Sequence, residues 1–256
     1  MDRKENSRLK QFLSFTLIYI KLLFRSKEAV LWNLAFPLFM FVLYVTLFSG
    51  IYPEQISTGR AVSDNLAKIL TIAIMSGGLF SVGLHVAVMK EKGILRRYKV
   101  APVRAVTTVL GTVFTHTTLM LINVILLTSL AILVYKAEIL GGFLEYILTI
   151  IIGIVVFGSL GLCVAGLSKT NQSAVGIANI LFMPMMFLSG TTIPDMLFPD
   201  WLTKVAGFLP STHLYKMIQG IVFMGDSLAG VGTNILVLMA YGLVFVIVAS
   251  FLSRWN

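Results

Sequence analysis

Lys90-Glu91-Lys92-Gly93-Ile94-Leu95-Arg96-Arg97-Tyr98-Lys99-Val100-Ala101-Pro102 is the densest run of charge in the chain, and it lies between two long apolar segments. Five of its thirteen residues are Lys or Arg, and Ile94, Leu95, Tyr98 and Val100 fall among them. Charged and apolar residues interleaved in this way suit a helix lying on a membrane surface rather than crossing it. Loops rich in Lys and Arg stay on the cytoplasmic side. The stretch therefore reads as a cytoplasmic rod with membrane spans on both sides of it.

Composition agrees with this reading. The 256 residues are 57% hydrophobic and 12% charged, with a mean hydropathy of +0.92. Several apolar runs reach the roughly 20 residues needed to cross a bilayer core of about 30 Å. A net charge of +9 would suggest nucleic acid in a soluble chain. Here the basic residues cluster beside apolar runs, where orientation and anionic lipid account for them, and no nucleic-acid partner is expected. The one cysteine, Cys163, sits inside an apolar run, which excludes an intramolecular disulfide and a thiol-rich metal site. No charged leader with a small-residue cleavage site is visible at the start of the chain.

Outward from the rod, the pattern predicts an all-α integral membrane protein with six transmembrane helices, at about 29–50, 66–89, 105–135, 143–167, 174–189 and 231–252. An amphipathic interfacial helix is expected over 10–27, where Phe12, Phe15, Tyr19 and Leu22 mix with Lys21, Arg25 and Lys27. Pro37 interrupts the first span. The polar run from Tyr52 to Asn65 reads as a short external loop. In the second span Ala73, Gly77, Ser81 and His85 recur every four residues, a spacing that lets another helix approach closely or lines a polar path. The third run, about 45 Å long at 1.5 Å per residue, exceeds the bilayer core and must tilt or extend into the cytoplasm. Its threonines can bond their own helix carbonyls, whereas His116 and Asn123 should face protein.

Between the last two spans Pro194, Pro199 and Pro210 cut the chain into pieces too short to cross. Leu197, Phe198, Trp201, Leu202, Val205 and Phe208 form one apolar stripe, and His213, Lys216 and Gln219 share one side of a second piece. Two short re-entrant helices over 196–224 fit, because irregular backbone at membrane depth must be surrounded by protein or water. With both ends inside, fifteen Lys and Arg residues fall on the cytoplasmic side and five outside; this bias supports the six-span orientation.

Motifs for catalysis are missing. There is no Gly-x-x-x-x-Gly-Lys-Ser/Thr phosphate loop, no His-Glu-x-x-His and no Gly-x-Ser-x-Gly. His85, His116 and His213 lie in three separate segments, so neither a metal site nor a catalytic residue is expected. The alternative is an intramembrane hydrolase using Ser81 with His85 or His116. No acidic residue sits in the middle of an expected span, so the sequence offers no sign of proton or sodium coupling.

Two stretches together resemble a known family. Glu91-x-Gly93, a basic-apolar helix and Pro102 nine residues beyond Gly93, then Leu188-Ser189-Gly190, Pro194, Trp201 and Leu209-Pro210-x-Thr212-His213 before the last span, resemble the transmembrane subunit of ABC-2-type (type V) ABC transporters. Arg25 ahead of a Pro-containing first span is similar too, although Arg25-Ser26-Lys27 lacks the Pro often found there. The resemblance covers essentially the whole chain.

It implies a non-catalytic permease that pairs with a second copy or a paralogous permease and with two separate ABC ATPase subunits. ATP-Mg would be held by those partners, and this chain would bind no cofactor directly. It further implies a bacterial cell-membrane protein with both termini cytoplasmic, exporting a drug, antibiotic peptide, lipid or lipid-linked glycan. In such a permease residues 91–100 form the coupling helix resting on the ATPase. The coupling residues would be Glu91, Gly93, Ile94, Leu95, Arg96, Arg97 and Tyr98, with Arg25 from the interfacial helix. The substrate path would involve Ala73, Gly77, Ser81, Asn179, Met183, Met186 and Phe187, and the re-entrant segment Pro194, Trp201, Pro210 and His213. A membrane sensor or immunity subunit with the same fold is a third reading. Replacing Glu91 or Gly93 should abolish transport and alter ATPase stimulation while membrane insertion persists; an enzyme would respond to Ser81 or His85 instead.

Overall fold

The computed structural model describes residues 34–48, 50, 52–53, 55–94 and 105–252. The interfacial helix expected over 10–27 with Arg25, and the coupling residues Leu95, Arg96, Arg97 and Tyr98, lie outside these residues. Among the described residues every regular element is helical: α1 Phe36–Phe48, α2 Thr58–Glu91, α3 Ala105–Leu133, α4 Phe143–Leu167, α5 Asn171–Leu188, α6 Asp200–Ala206, α7 Pro210–Gln219 and α8 Gly232–Leu252. Helices α2, α3, α4, α5 and α8 are long and apolar enough to cross a membrane. The thirteen residues of α1 cover part of the expected first span.

The organising element is α2. Its 34 residues make a rod about 51 Å long, well beyond a bilayer core. A π-helical stretch over Gly77–Gly83 widens the rod midway. Leu66, Leu70, Ile74, Met75 and Leu79 of α2 meet Phe157 of α4, Leu127 of α3 and Leu214, Met217 and Ile218 of α7 in one fully buried core. Helix α8 is apolar all round but buries only the stripe Leu238, Gly242 and Ala249, leaving Leu236, Leu243 and Phe251 outward. That distribution suits a helix with one face on protein and the rest on lipid.

Glycines set the closest approach. A Cβ on Gly161 of α4 would collide with the carbonyl oxygen of Gly78, and one on Gly78 with the carbonyl of Phe157. At this crossing α2 and α4 touch backbone to backbone, which only residues without a side chain permit. Gly77 lies under Met120 of α3, where an added Cβ would come within 2.8 Å of the Met120 side chain.

The structure corrects the sequence expectation at the N-terminal end of α2. The helix begins at Thr58, eight residues before the expected start, so 58–65 is not loop. Ser57 caps it, its Oγ accepting from the Arg60 N–H at 3.2 Å. Ser63, Asp64 and Asn65 are buried. Local polarity marked this run as solvent-exposed, whereas other helices surround it. It also places an acidic residue, Asp64, inside a helix of spanning length. Helix α5 likewise begins at Asn171 rather than 174, on a capping box: Thr170 Oγ1 accepts from the Ser173 N–H, and Ser173 Oγ from the Thr170 N–H. On α3, Thr115 and Thr118 bond the carbonyls of Gly111 and Phe114, and His116 and Asn123 are buried, both as expected.

The backbone contact predicts an asymmetric response to substitution. Gly161→Leu should destabilise by about 3 kcal/mol or more because the two backbones must separate. Gly158→Ala, one turn away with open space around its Cβ position, should be neutral or stabilising by about 0.5–1 kcal/mol. Thermal unfolding of the purified protein in detergent checks the pair.

Candidate functional site

At its C-terminal end α2 terminates in the residues that opened the sequence reading. The Lys92 N–H bonds the Val88 carbonyl at 3.0 Å and the Gly93 N–H the Lys90 carbonyl at 3.1 Å. Gly93 then turns the chain with φ of +65°. Nothing lies within 4 Å of where its Cβ would be. Glycine is needed here for its left-handed backbone, not for space. Ile94 follows and packs against the core.

Lys90 and Glu91 reach in different directions from that end. Lys90 Nζ donates to the carbonyls of Gly166 at 2.7 Å and Ser168 at 2.8 Å, with Ala165 at 3.4 Å. Carbonyls in the last turn of a helix have no partners within it, so the lysine closes the C-terminus of α4. Glu91 Oε2 accepts from the backbone N–H of Asn171 at 2.7 Å, the first residue of α5. A cation at a helix C-terminus and an anion at an N-terminus both suit the helix dipoles. Two adjacent side chains thus clamp both sides of the turn 168–170. Sequence reasoning found Glu91 through its motif and the turn through its polarity. The pairing is invisible locally, because the partners lie 75 to 80 positions apart.

The N-terminal end of α2 carries a second cluster, which sequence reasoning missed. Asp64 Oδ2 accepts from the Tyr52 hydroxyl at 2.5 Å and pairs with Lys68 Nζ at 2.7 Å. Its Oδ1 accepts from Tyr215 OH at 3.2 Å and Gln219 Nε2 at 2.6 Å, both on α7. Burial, and then the Asp64 carboxylate, push the Tyr52 hydroxyl well above its usual range. It therefore stays protonated and donates. Beside this cluster Arg60 donates to the Phe223 carbonyl at 3.2 Å and stacks on the Phe223 ring. Ser57 donates to Glu138 Oε1 at 2.8 Å.

The other expected residues are distributed as follows. Ala73 is half-buried against the core, Gly77 is buried under Met120, and the wide turn from Gly77 to Gly83 breaks the four-residue register carrying on to Ser81 and His85. His85 and His116 have ring centroids 5.0 Å apart, so the fold brings together two residues that the sequence kept in separate segments. On α5, Met183 and Phe187 face outward with Ile180. Met186 packs inward, and Asn179 bonds its own helix at the Val175 carbonyl.

Between α5 and α8, Pro194 precedes a single 3₁₀ turn, Asp195–Leu197, and Pro210 is the first residue of α7. Trp201 is 66% exposed. His213 Nε2 donates to the Gly207 carbonyl and Nδ1 lies 2.9 Å from Asn234 Oδ1, joining α7 to α8. Among the described residues no group of three or more His, Cys, Asp or Glu side chains could hold a metal ion.

Helix α2 is thus bonded to other helices near both of its ends. Comparison with known proteins gives the family. The family model described as ABC-2 type transporter matches residues 10–223. The Putative transport permease YvfS of Bacillus subtilis (strain 168) is 22% identical over 92% of this chain and 94% of its own length. ABC transporter G family member 20 of Dictyostelium discoideum is 29% identical over 56% of this chain and 20% of its own length. Nodulation protein J of Rhizobium leguminosarum bv. viciae is 32% identical over 38% of each chain. With the family model covering most of the sequence and five helices of spanning length and composition, this chain belongs to the ABC-2 type transporter family, as a multi-pass membrane permease.

Proposed function

We propose that this chain is the membrane-spanning subunit of an ATP-driven exporter. It has six spans, the first containing α1, and both termini face the cytoplasm of a bacterial cell. Two such subunits, identical or paralogous, pair in the membrane and dock on two ABC ATPase subunits, which hold ATP-Mg and hydrolyse it. The single observation that carries the reading is the Lys90–Glu91 clamp. It joins the segment expected to rest on the ATPase, residues 91–100, to the facing ends of α4 and α5.

The chain of forces is direct. Closure of the ATPases displaces the rod that begins at Glu91. Gly93, Ile94 and the basic residues Arg96 and Arg97 seat it, with Leu95 and Tyr98 as apolar contacts and Arg25 reaching the same surface from the interfacial helix. Because Lys90 and Glu91 hold the last carbonyls of α4 and the first N–H of α5, those helices move with α2. Met183 and Phe187 on the outward face of α5 line the path at the pairing axis. Flexible thioethers beside an aromatic ring suit an amphipathic or apolar cargo such as a drug, an antibiotic peptide, a lipid or a lipid-linked glycan. Helices α6 and α7 re-enter the outer leaflet and roof the path. Exposed Met196, Leu197, Trp201 and Phe208 favour that placement over an aqueous one.

Co-expression with its ABC ATPase subunit should yield a copurifying complex. Glu91→Ala should leave insertion intact but lower efflux of a fluorescent amphiphile from reconstituted vesicles by about tenfold or more, as expected for a lost coupling interaction of 1–3 kcal/mol. Glu91→Gln, which keeps an acceptor for the Asn171 N–H, should fall between the two. Transport by the purified chain with no ATPase present would refute the proposal.

A further inference from the structure

Asp64 is buried, with 4% of its surface exposed, yet it carries four donors from three parts of the chain: Tyr52, Lys68 on its own helix, and Tyr215 and Gln219 on α7. A buried carboxylate is tolerated when its lone pairs are filled this way, and it is costly once a partner leaves. Gln219 Nε2 also lies 2.7 Å from Tyr215 OH, so the two α7 side chains act as one grip. Immediately after Gln219 the chain loosens into a π-helical stretch, Gly220–Met224. Arg60 holds the carbonyl of Phe223 within that stretch.

Two polar side chains that adjoin this grip in sequence are also left unsatisfied. Asn65, next to Asp64, and Thr212, three residues before Tyr215, bury side-chain polar atoms that have no partner among the described residues. Orphaned polar groups favour a rearranged contact in which they find partners. Meanwhile α2 is divided by its wide segment, Gly77–Gly83, into an outer arm bearing Asp64 and an inner arm bearing Lys90 and Glu91. Each arm thus ends in a carboxylate bonded to a different helix.

We propose that Asp64 is the positioning residue that makes the outer pair α6–α7 follow the outer arm of α2, so that a displacement at Lys90–Glu91 reaches Trp201 on the opposite side of the membrane. The inference rests on the permease reading above and adds to it the residue through which the external roof is driven. Asp64 touches no cargo. It acts through Tyr215 and Gln219, and the bonds from His213 to Asn234 and from Tyr241 to the Phe208 carbonyl carry the same movement to α8.

The test uses the permease reconstituted with its ATPase in nanodiscs, with Cys163→Ser and a spin label on Lys204→Cys in α6. Accessibility of the label to a water-soluble relaxing agent is read with and without ATP and vanadate. With Asp64 present, nucleotide should change the accessibility. In Asp64→Asn that change should shrink by about fivefold or more while ATP hydrolysis stays within about twofold, the mark of lost coupling between sites. An equal nucleotide response in Asp64→Asn overturns this inference and leaves the permease reading standing. No response even with Asp64 present overturns both. Loss of thermal stability, hydrolysis and label response together marks a merely structural role and also overturns it. Where Asp64→Asn does not fold, the double variant Tyr215→Phe with Gln219→Leu removes the α7 grip while keeping the Asp64–Lys68 pair, and the same readout decides.

Discussion

The contact between α2 and α4 at Gly78 and Gly161 is the constraint on which the remaining geometry depends. Two helix backbones meet there without intervening side chains, which fixes both their separation and their register. In lipid the hydrophobic effect does not drive one apolar helix onto another, so close van der Waals contact and polar bonds must supply the preference. With the crossing fixed, the C-terminal end of α2 falls beside the turn between α4 and α5, and its N-terminal end falls beside α7. The π-helical stretch begins at the crossing itself, so the rod is widest where it is held most tightly.

Both ends of α2 use the same chemistry in different surroundings. At the C-terminal end Lys90 and Glu91 meet unsatisfied backbone groups of two helix termini, an interaction that needs no complementary side chain. At the N-terminal end Asp64 meets only side-chain donors. Glu91 is exposed to solvent, whereas Asp64 is buried, so its bonds are shielded from water.

Much of this was legible in the residues. Hydropathy located α3, α4, α5 and α8 to within a few positions, because a span must be apolar over a length fixed by the bilayer. Prolines at 194, 199 and 210 announced the short pieces before α8. Glu91-x-Gly93 and the segment around Pro210 carried the family. The start of α2 was misplaced because residues 58–65 are polar, and polarity in one window does not distinguish water from the donors of another helix. The same confusion hid Asp64. Its partners Tyr215 and Gln219 lie 151 and 155 positions away.

What the sequence by itself determined is the solvent: a chain this apolar, with its cations gathered between runs of spanning length, belongs in a bilayer. That follows from sums over neighbouring residues, which folding does not change. What only the tertiary structure decided is which helix each polar side chain holds, Lys90 closing α4, Glu91 opening α5, Asp64 gripping α7. Those choices depend on distances between helices, set by where small residues let backbones touch, and no local periodicity encodes them.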